Sequence, residues 1–150
     1  PYDEFPPAGF ENSSAPVRTE KGGVLWRQAT FDPIRYASAY GRGTALRVAL
    51  AGNDGDDIHL SAVVSADGRR LALFAVNRNE DAAHPLEVSA GGGWTLAESR
   101  EIAGDPAAVN TPQAQPVRAQ EARDVELRDG TVRLAMKPCS WRCIVLKKAN

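Results

Sequence analysis

The sequence has little of several features that mark particular classes of protein. Its 150 residues include two cysteines, one methionine and two histidines. No apolar run approaches the ~20 residues that a membrane-spanning helix needs. The 18 Lys and Arg residues nearly balance the 19 Asp and Glu residues, and both signs are mixed along the chain. This balance argues against a strongly basic nucleic-acid surface or a polybasic membrane patch, so we expect neither nucleic acid nor membrane as a partner.

The two cysteines, Cys139 and Cys143, lie four residues apart in a stretch with the pattern of a strand. Residues four apart in a strand are ~13 Å from each other, which is too far for a disulfide. Neither histidine is near them in the sequence, so the pattern does not indicate zinc. We expect two free, partly buried thiols, no metal site and no cofactor. Free thiols fit a reducing compartment, and we expect a cytoplasmic location.

The beginning of the sequence indicates a fragment. It starts at Pro1, and the one methionine is Met136. We therefore expect a piece of a longer protein, in which the absence of a leader segment carries no conclusion. Residues 1–14 are rich in Pro, Gly and Ser and are expected to be irregular.

One short helix is predicted after this region. Asp32 is the expected N-cap, and Pro33 suits the first helical position because its missing N–H costs nothing there. Gly41 offers a left-handed cap at the other end. The apolar positions at helical spacing are Ile34, Ala37 and Tyr40.

From residue 44 onward the pattern changes to short strands separated by turn residues. Strands are predicted over 46–50, 58–65, 70–77, 85–89, 94–99, 124–128, 131–136 and 141–147. The pairs Asp67-Gly68 and Asp129-Gly130 are strong hairpin signals. Seven or eight strands without intervening helices predict a mainly β fold, an antiparallel β-sandwich of jelly-roll or immunoglobulin-like type. Residues 103–122, with three prolines, are expected to form a long surface connection.

The stretch over residues 20–44 carries the clearest functional signal. Trp26, one of three tryptophans, is followed by Arg27 and Gln28. A flat aromatic face beside a guanidinium and an amide suits a sugar, because the ring stacks on one side and the polar groups form directed hydrogen bonds.

This stretch resembles the end of the catalytic (β/α)8 barrel in α-L-arabinofuranosidases of glycoside hydrolase family 51. In that family a strand ending in Ala-Pro-(Ile/Val)-x-Thr-Glu precedes Gly-Gly, Trp-Arg-Gln-Thr and a helix closing in Ala-Ser-x-Tyr-Gly-Arg-Gly. The corresponding segments here are Ala-Pro-Val-Arg-Thr-Glu at 15–20, Trp-Arg-Gln at 26–28 and Ala-Ser-Ala-Tyr-Gly-Arg-Gly at 37–43. Further matches are Val-Asn-Arg at 76–78, Ala-Val-Asn-Thr at 108–111 and Pro-Cys-Ser at 138–140. Together they cover about residues 15–147.

Residues 1–14, irregular by composition, do not match the family; the resemblance implies two further parts, the last strand, loop and helix of a barrel (15–43) and a C-terminal β-sandwich domain (44–150). It implies that the parent enzyme is a retaining glycosidase. That enzyme would release terminal non-reducing α-L-arabinofuranose from arabinofuranosyl oligosaccharides and would form a homo-oligomer.

The implied chemistry needs two carboxylates about 5–5.5 Å apart. In the family both are glutamates on earlier barrel strands, so we assign no catalytic residue and expect the isolated chain to be inactive. Glu80, in the one Asn-Glu pair, is expected to be a solvated loop residue. The substrate-binding candidates are Gln28 and Trp26. Gln28 is expected to contact the sugar, the alternative being that it caps the backbone before the helix. Trp26 either forms a wall of the sugar site or packs the loop against the barrel.

Two other functions stay open: a free-standing, non-catalytic sandwich that binds carbohydrate or mediates assembly, and an inactive truncated product. Tyr36, Tyr40 and Trp141 would suit a stacking platform. However, Tyr36 and Tyr40 share a helix face, and we expect them to pack on the sandwich. Asp54, Asp56 and Asp57 suggest Ca²⁺, but their spacing lacks a bidentate Glu and favours a turn.

Overall fold

The structure is a computed structural model that describes residues 15–19, 22–52 and 57–149. Its elements are, in chain order, β1 (Val17–Thr19), β2 (Leu25–Arg27), α1 (Phe31–Tyr40), β3 (Thr44–Leu46), β4 (Ile58–Val64), β5 (Arg70–Asn77), β6 (His84–Ser89), β7 (Trp94–Ile102), β8 (Gln120–Glu121), β9 (Glu126–Arg128), β10 (Thr131–Met136) and β11 (Ser140–Lys148). In these ranges no helix is long and apolar enough to cross a membrane.

Two sheets face each other across the main core. The larger sheet has the order β3-β4-β5-β11-β7-β8, and the smaller has the order β6-β10-β9. Each strand pairing within them is antiparallel. Leu73, Ile144 and Leu146 of the larger sheet meet Val132 and Met136 of the smaller, and all five are at most 1% exposed. The predicted antiparallel sandwich is confirmed.

The strand inventory differs from the prediction at two places. The described part of the sandwich has nine strands, because the short β8 forms inside the predicted connection 103–122 and pairs with the end of β7. Strand pairing at residues 44–50 stops after Leu46. The side chains of Leu46 and Leu50 are 44% and 41% exposed, so the alternation there does not correspond to a buried face.

The turns explain how the chain moves between strands. Asp129 and Gly130 both have positive φ, 50° and 73°, as the tight β9–β10 hairpin requires. A Cβ on Gly130 would lie 2.5 Å from the backbone of Gly91, so two turns touch without side chains between them. The glycines at 91–93 carry the chain from the smaller sheet to the larger one.

Helix α1 packs on the outer face of the larger sheet. Tyr36 is 7% exposed, and its ring centroid lies 5.8 Å from that of Trp141 and 6.1 Å from that of Tyr40. This confirms that the two tyrosines pack on the sandwich. The predicted apolar face was wrong: Ile34 is 48% exposed, and Ala37 is exposed as well. The inward positions are instead 32, 36 and 40, a strict four-residue spacing.

Both predicted helix caps were also wrong. The helix begins at Phe31, so Asp32 lies inside its first turn. The Asp32 carboxylate instead accepts a hydrogen bond from Ala119 N (2.7 Å) and lies 3.2 Å from Arg35 Nε. Gly41 has φ −82° rather than a left-handed conformation. A Cβ on Gly41 would lie 2.5 Å from Ala37 O, so close backbone approach is what favours glycine there.

Candidate functional site

The segment that carries the two predicted sugar-binding residues is a small hairpin followed by a turn into α1. Strand β2 pairs with β1, with Trp26 opposite Arg18. Beyond β2, Gln28 N donates to Pro16 O (3.0 Å) and Gln28 O accepts from Phe31 N (3.0 Å). The backbone of Gln28 is therefore held on both sides. Trp26 and Gln28 lie two residues apart and are both half-buried.

Three polar side-chain atoms of this segment lack hydrogen-bond partners. Trp26 Nε1, Gln28 Nε2 and Thr30 Oγ1 are shielded from solvent, and none has a partner within the described ranges. A buried polar group left unpaired costs about 1–3 kcal/mol, and most such groups in folded proteins are paired. This arrangement fits a segment that meets a further surface or ligand.

Apolar side chains of the same hairpin are open to solvent. Leu25 is 67% exposed, Val24 is 50% exposed and Val17 is 41% exposed. Arg27 is exposed as well, and its guanidinium lies 4.6 Å from the centroid of the Phe31 ring. It thus braces the turn into α1 by a cation–π contact.

The hairpin is fastened to the sandwich by residues 110–119, which we call the strap. Asn110 is 4% exposed. Its Nδ2 donates to Arg27 O (2.9 Å) and Val117 O (2.8 Å), while its Oδ1 accepts from Val117 N (2.8 Å). Arg27 N in turn donates to Gln115 Oε1 (3.3 Å). With the contact from Ala119 N to Asp32, the strap holds the segment on both sides of Gln28.

Asn110 is a functional candidate that the sequence pattern did not single out. The motif Ala-Val-Asn-Thr contributed to the family resemblance, but nothing local predicts a partner 83 residues away. A buried Asn that saturates its donors on two separate backbone segments is a positioning residue for the loop that it holds.

A cavity of about 490 Å³ opens between the turn that follows β2, the strap and the sandwich. Its lining includes Ala29, Ile102, Pro106, Pro116, Val117 and Cys139. Neither Trp26 nor Gln28 contributes to it, so this cavity is distinct from the predicted sugar-binding surface.

The most deeply buried charge among the described residues, Arg142, lies at one end of the sandwich core. Arg142 is fully buried, and its guanidinium donates to both oxygens of Asp124 (2.7 and 2.6 Å). Glu101 lies 2.8 Å from Arg142 and accepts from Lys137 Nζ (2.7 Å). The hydrogen bonds from Arg142 hold the pKa of Asp124 below its usual range. These two carboxylates are occupied by cations, so they do not form a glycosidase pair.

Other titratable groups are also engaged in packing. The Tyr40 hydroxyl donates to Glu98 (2.6 Å), and this bond together with burial raises the pKa of Tyr40 to about 12. Burial opposes ionisation of Glu98, but hydrogen bonds from Tyr40 and Arg100 outweigh it and lower the pKa of Glu98. Burial raises the pKa of the Cys143 thiol to about 12. Both cysteines are free, as predicted.

The other residues considered as possible catalytic or metal-binding groups make ordinary loop and turn contacts. Glu80 is exposed in the loop between β5 and β6, as expected. Asp57 accepts from Asn79 Nδ2 (2.9 Å) and lies 3.2 Å from His84 Nε2. Asp54 and Asp56 are outside the described residues. Within those residues, no group of three or more His, Cys, Asp and Glu side chains is arranged to hold a metal.

Comparison with known proteins gives consistent matches. The family model for the α-L-arabinofuranosidase C-terminal domain matches residues 8–140. The intracellular exo-α-(1→5)-L-arabinofuranosidase of Streptomyces lividans is 40% identical over 91% of this chain and 22% of its own length. Intracellular exo-α-(1→5)-L-arabinofuranosidase 1 of Bacillus subtilis is 31% identical over 95% of this chain and 31% of its own.

A solved structure agrees in fold. The family 51 α-L-arabinofuranosidase AbfB of Bifidobacterium longum superposes with a TM-score of 0.72 at 25% identity, covering 87% of this chain and 28% of its own. The chain thus spans less than a third of the length of each of these relatives.

Proposed function

This chain belongs to the α-L-arabinofuranosidase C-terminal domain family, and from that premise we propose that it works as the C-terminal part of a complete α-L-arabinofuranosidase. That enzyme would release terminal α-L-arabinofuranose from arabinofuranosyl oligosaccharides, with both catalytic glutamates supplied by a barrel outside this chain. The names of these relatives support α-(1→5)-linked substrates and an intracellular site of action, which we propose is the cytoplasm.

The observation that carries the proposal is the incomplete setting of Gln28. Its side-chain nitrogen is shielded from solvent yet has no partner in the described ranges, while its backbone is held on both sides. We propose that a sugar hydroxyl completes it, since an amide can both donate to and accept from neighbouring hydroxyls. For Trp26, whose Nε1 is also unpaired, the sugar-site wall and the packing against the barrel both stay open.

The sandwich would then act as a scaffold rather than as a binding module. The exposed apolar side chains of the β1–β2 hairpin fit a surface that the barrel covers. Through the hydrogen bond from Asn110 to Arg27 O, the strap would fix the position of Gln28 relative to that barrel. On this proposal residues 15–43 belong to the barrel and residues 44–150 form the sandwich domain. The complete enzyme would be a homo-oligomer, which sedimentation analysis would test.

The aromatic side chains favour this scaffold over a free-standing carbohydrate-binding module. Tyr36, Tyr40 and Trp141 pack on one another between α1 and the larger sheet. The ring of Trp94 is covered by Lys148 Nζ at 4.0 Å. All four rings are thus engaged in packing contacts within the chain.

The test uses the full-length enzyme that carries this segment, with 4-nitrophenyl α-L-arabinofuranoside as substrate. Gln28→Ala is expected to lower kcat/KM about tenfold, because one hydrogen bond to a bound sugar contributes about 1–1.5 kcal/mol. Gln120→Ala, a change at an exposed position on β8, is the matched control and should leave kcat/KM unchanged. Equal values for the Gln28 variant and the wild type would reject the sugar contact.

The isolated chain gives a second test. It is expected to show no turnover of the same substrate, since neither catalytic glutamate is assigned to it. Turnover that disappears in Glu80→Gln would contradict the assignment and make Glu80 catalytic.

A further inference from the structure

Four cations meet at one end of the larger sheet. Arg69 and Arg70 lie at the start of β5, and Lys147 and Lys148 lie at the end of β11. The strands are paired, with Lys147 opposite Arg70 and Lys148 N donating to Arg69 O (3.0 Å). Across the described ranges none of the four lies within 4 Å of a carboxylate. Seven other cations there do lie within 4 Å of a carboxylate, whereas these four occupy neighbouring positions without one.

The pair of Arg70 and Lys147 is unfavourable in a sheet. Residues directly opposite on antiparallel strands point to the same face, with Cβ atoms about 4.5–5.5 Å apart, and like charges in this position repel. The Arg70 guanidinium lies 5.3 Å from the centroid of the Tyr40 ring, a contact on the outer face of the larger sheet, to which Lys147 also points. Its Nε is shielded from solvent and has no hydrogen-bond partner in the described part of the chain.

These side chains line a cleft of about 300 Å³. Asp67 is the one acidic side chain in its lining. That carboxylate accepts from Ser65 Oγ (2.5 Å) and Arg69 N (3.1 Å), and both bonds lower the pKa of Asp67. It is thus committed to the β4–β5 turn, and the cleft keeps a strong positive excess in a chain whose net charge is −1.

We propose that this cleft binds a compact oxyanion of the phosphate type, either free phosphate or the phosphate group of a sugar phosphate. Arg70 and Lys147 stand on neighbouring strands ~4.8 Å apart, so one tetrahedral anion can accept hydrogen bonds from both. Such an anion would replace their repulsion with two attractions. The site is remote in sequence from Gln28 and does not depend on the proposed glycosidase function.

The experiment uses the 150-residue chain at low ionic strength, with inorganic phosphate as the first probe. Urea unfolding midpoints should rise with phosphate concentration, because a ligand that binds the native state stabilises it by RT ln(1 + [L]/Kd). Amide chemical shifts should move at positions 69, 70, 147 and 148. A wild-type chain whose midpoint and shifts do not respond to phosphate would overturn the proposal.

The substitution Lys147→Gln separates a binding site from an ordinary solvated surface. Without phosphate the variant should be at least as stable as the wild type, since the repulsion is gone. Its phosphate Kd should be weaker by about tenfold, the loss expected for one charge-assisted contact. Arg70→Gln should behave in the same way. Arg133→Gln, which removes an exposed cation paired with Glu87 on the smaller sheet, should keep the wild-type phosphate response.

A second probe distinguishes the two sources of the anion. Glucose 6-phosphate that binds more tightly than inorganic phosphate would assign the cleft to sugar phosphates, and equal binding would assign it to free phosphate. Equal stabilisation of Lys147→Gln and wild type by either probe would show general salt screening and overturn the proposal.

Discussion

In the sandwich, large apolar side chains face one another, and Leu73 and Met136 are at most 1% exposed. In the hairpin that precedes it, Leu25 is 67% exposed, and the side-chain nitrogens of Trp26 and Gln28 have no partner within the described ranges. The sandwich buries apolar side chains from both sheets in a core of its own, whereas the hairpin leaves its apolar side chains open to solvent and is held in place by hydrogen bonds from the strap. The contrast supports the proposal that the hairpin is half of an interface and that the sandwich is its support.

The largest expected effect compares the same substitution in the two regions. Leu73→Ala should destabilise the chain by about 2–5 kcal/mol, because it leaves a cavity in the closed core. Leu25→Ala should change the unfolding free energy by no more than about 0.5 kcal/mol, as is usual for an exposed side chain. Urea unfolding of both variants measures the difference. Similar costs for the two would mean that the hairpin has a core of its own.

The strap gives the next largest effect. Asn110→Ala should cost about 1–3 kcal/mol, because Arg27 O, Val117 O and Val117 N lose their shared partner. Amide hydrogen exchange at positions 25–28 should accelerate more than exchange in β5. Gln113→Ala, an exposed change in the same strap, is the control and should leave both quantities unchanged. Unaltered exchange in the Asn110 variant would show that pairing with β1 is enough to hold residues 25–28 in place.

The smallest effect concerns the packing interface between α1 and the larger sheet. Tyr40→Phe removes the hydrogen bond to Glu98 and should cost about 0.5–1.5 kcal/mol at neutral pH. In the wild type the pKa of Tyr40 rises from 10.0 to about 12 on folding. Because the neutral phenol is favoured in the folded state, this stabilisation is complete below pH 10 and is lost as the pH rises toward about 12.

Absorbance titration of tyrosine and unfolding at several pH values test this sign. The difference in stability between wild type and Tyr40→Phe should shrink as the pH rises above 10. A difference that grows with pH would contradict the assigned direction.

How much of the fold could be predicted depends on how local each signal is. The Asp129-Gly130 hairpin followed from two adjacent residues whose positive φ a tight turn demands. The division of β6 and β7 between two sheets could not be predicted, because it depends on packing across the whole core. The same holds for Asp32, whose pattern indicates an N-cap but whose partner, Ala119 N, is 87 residues away. A tertiary contact displaced the local preference.

The residues of the candidate site also differ in whether a local sequence signal points to them. Trp26 and Gln28, whose sugar contacts stay predictions, could be proposed because aromatic and amide side chains occur together in a short motif. Asn110 was not, since its function as a positioning residue exists only when the strap folds back onto β2. The cationic cleft was equally hidden, because Arg70 and Lys147 become neighbours only through the pairing of β5 with β11.

The junction between α1 and the sandwich has a consequence for protein engineering. Gly43 has φ 143°, and a Cβ there would lie 2.0 Å from Val64 O, so the chain enters the sandwich in bare contact with the end of β4. The junction between α1 and β3 is therefore not a flexible hinge, although the sequence changes there from helix to strand. Inserting a flexible spacer at this glycine would uncouple α1 from the sheet that it covers, and swapping sandwiches between related enzymes should exchange the helix together with the strands.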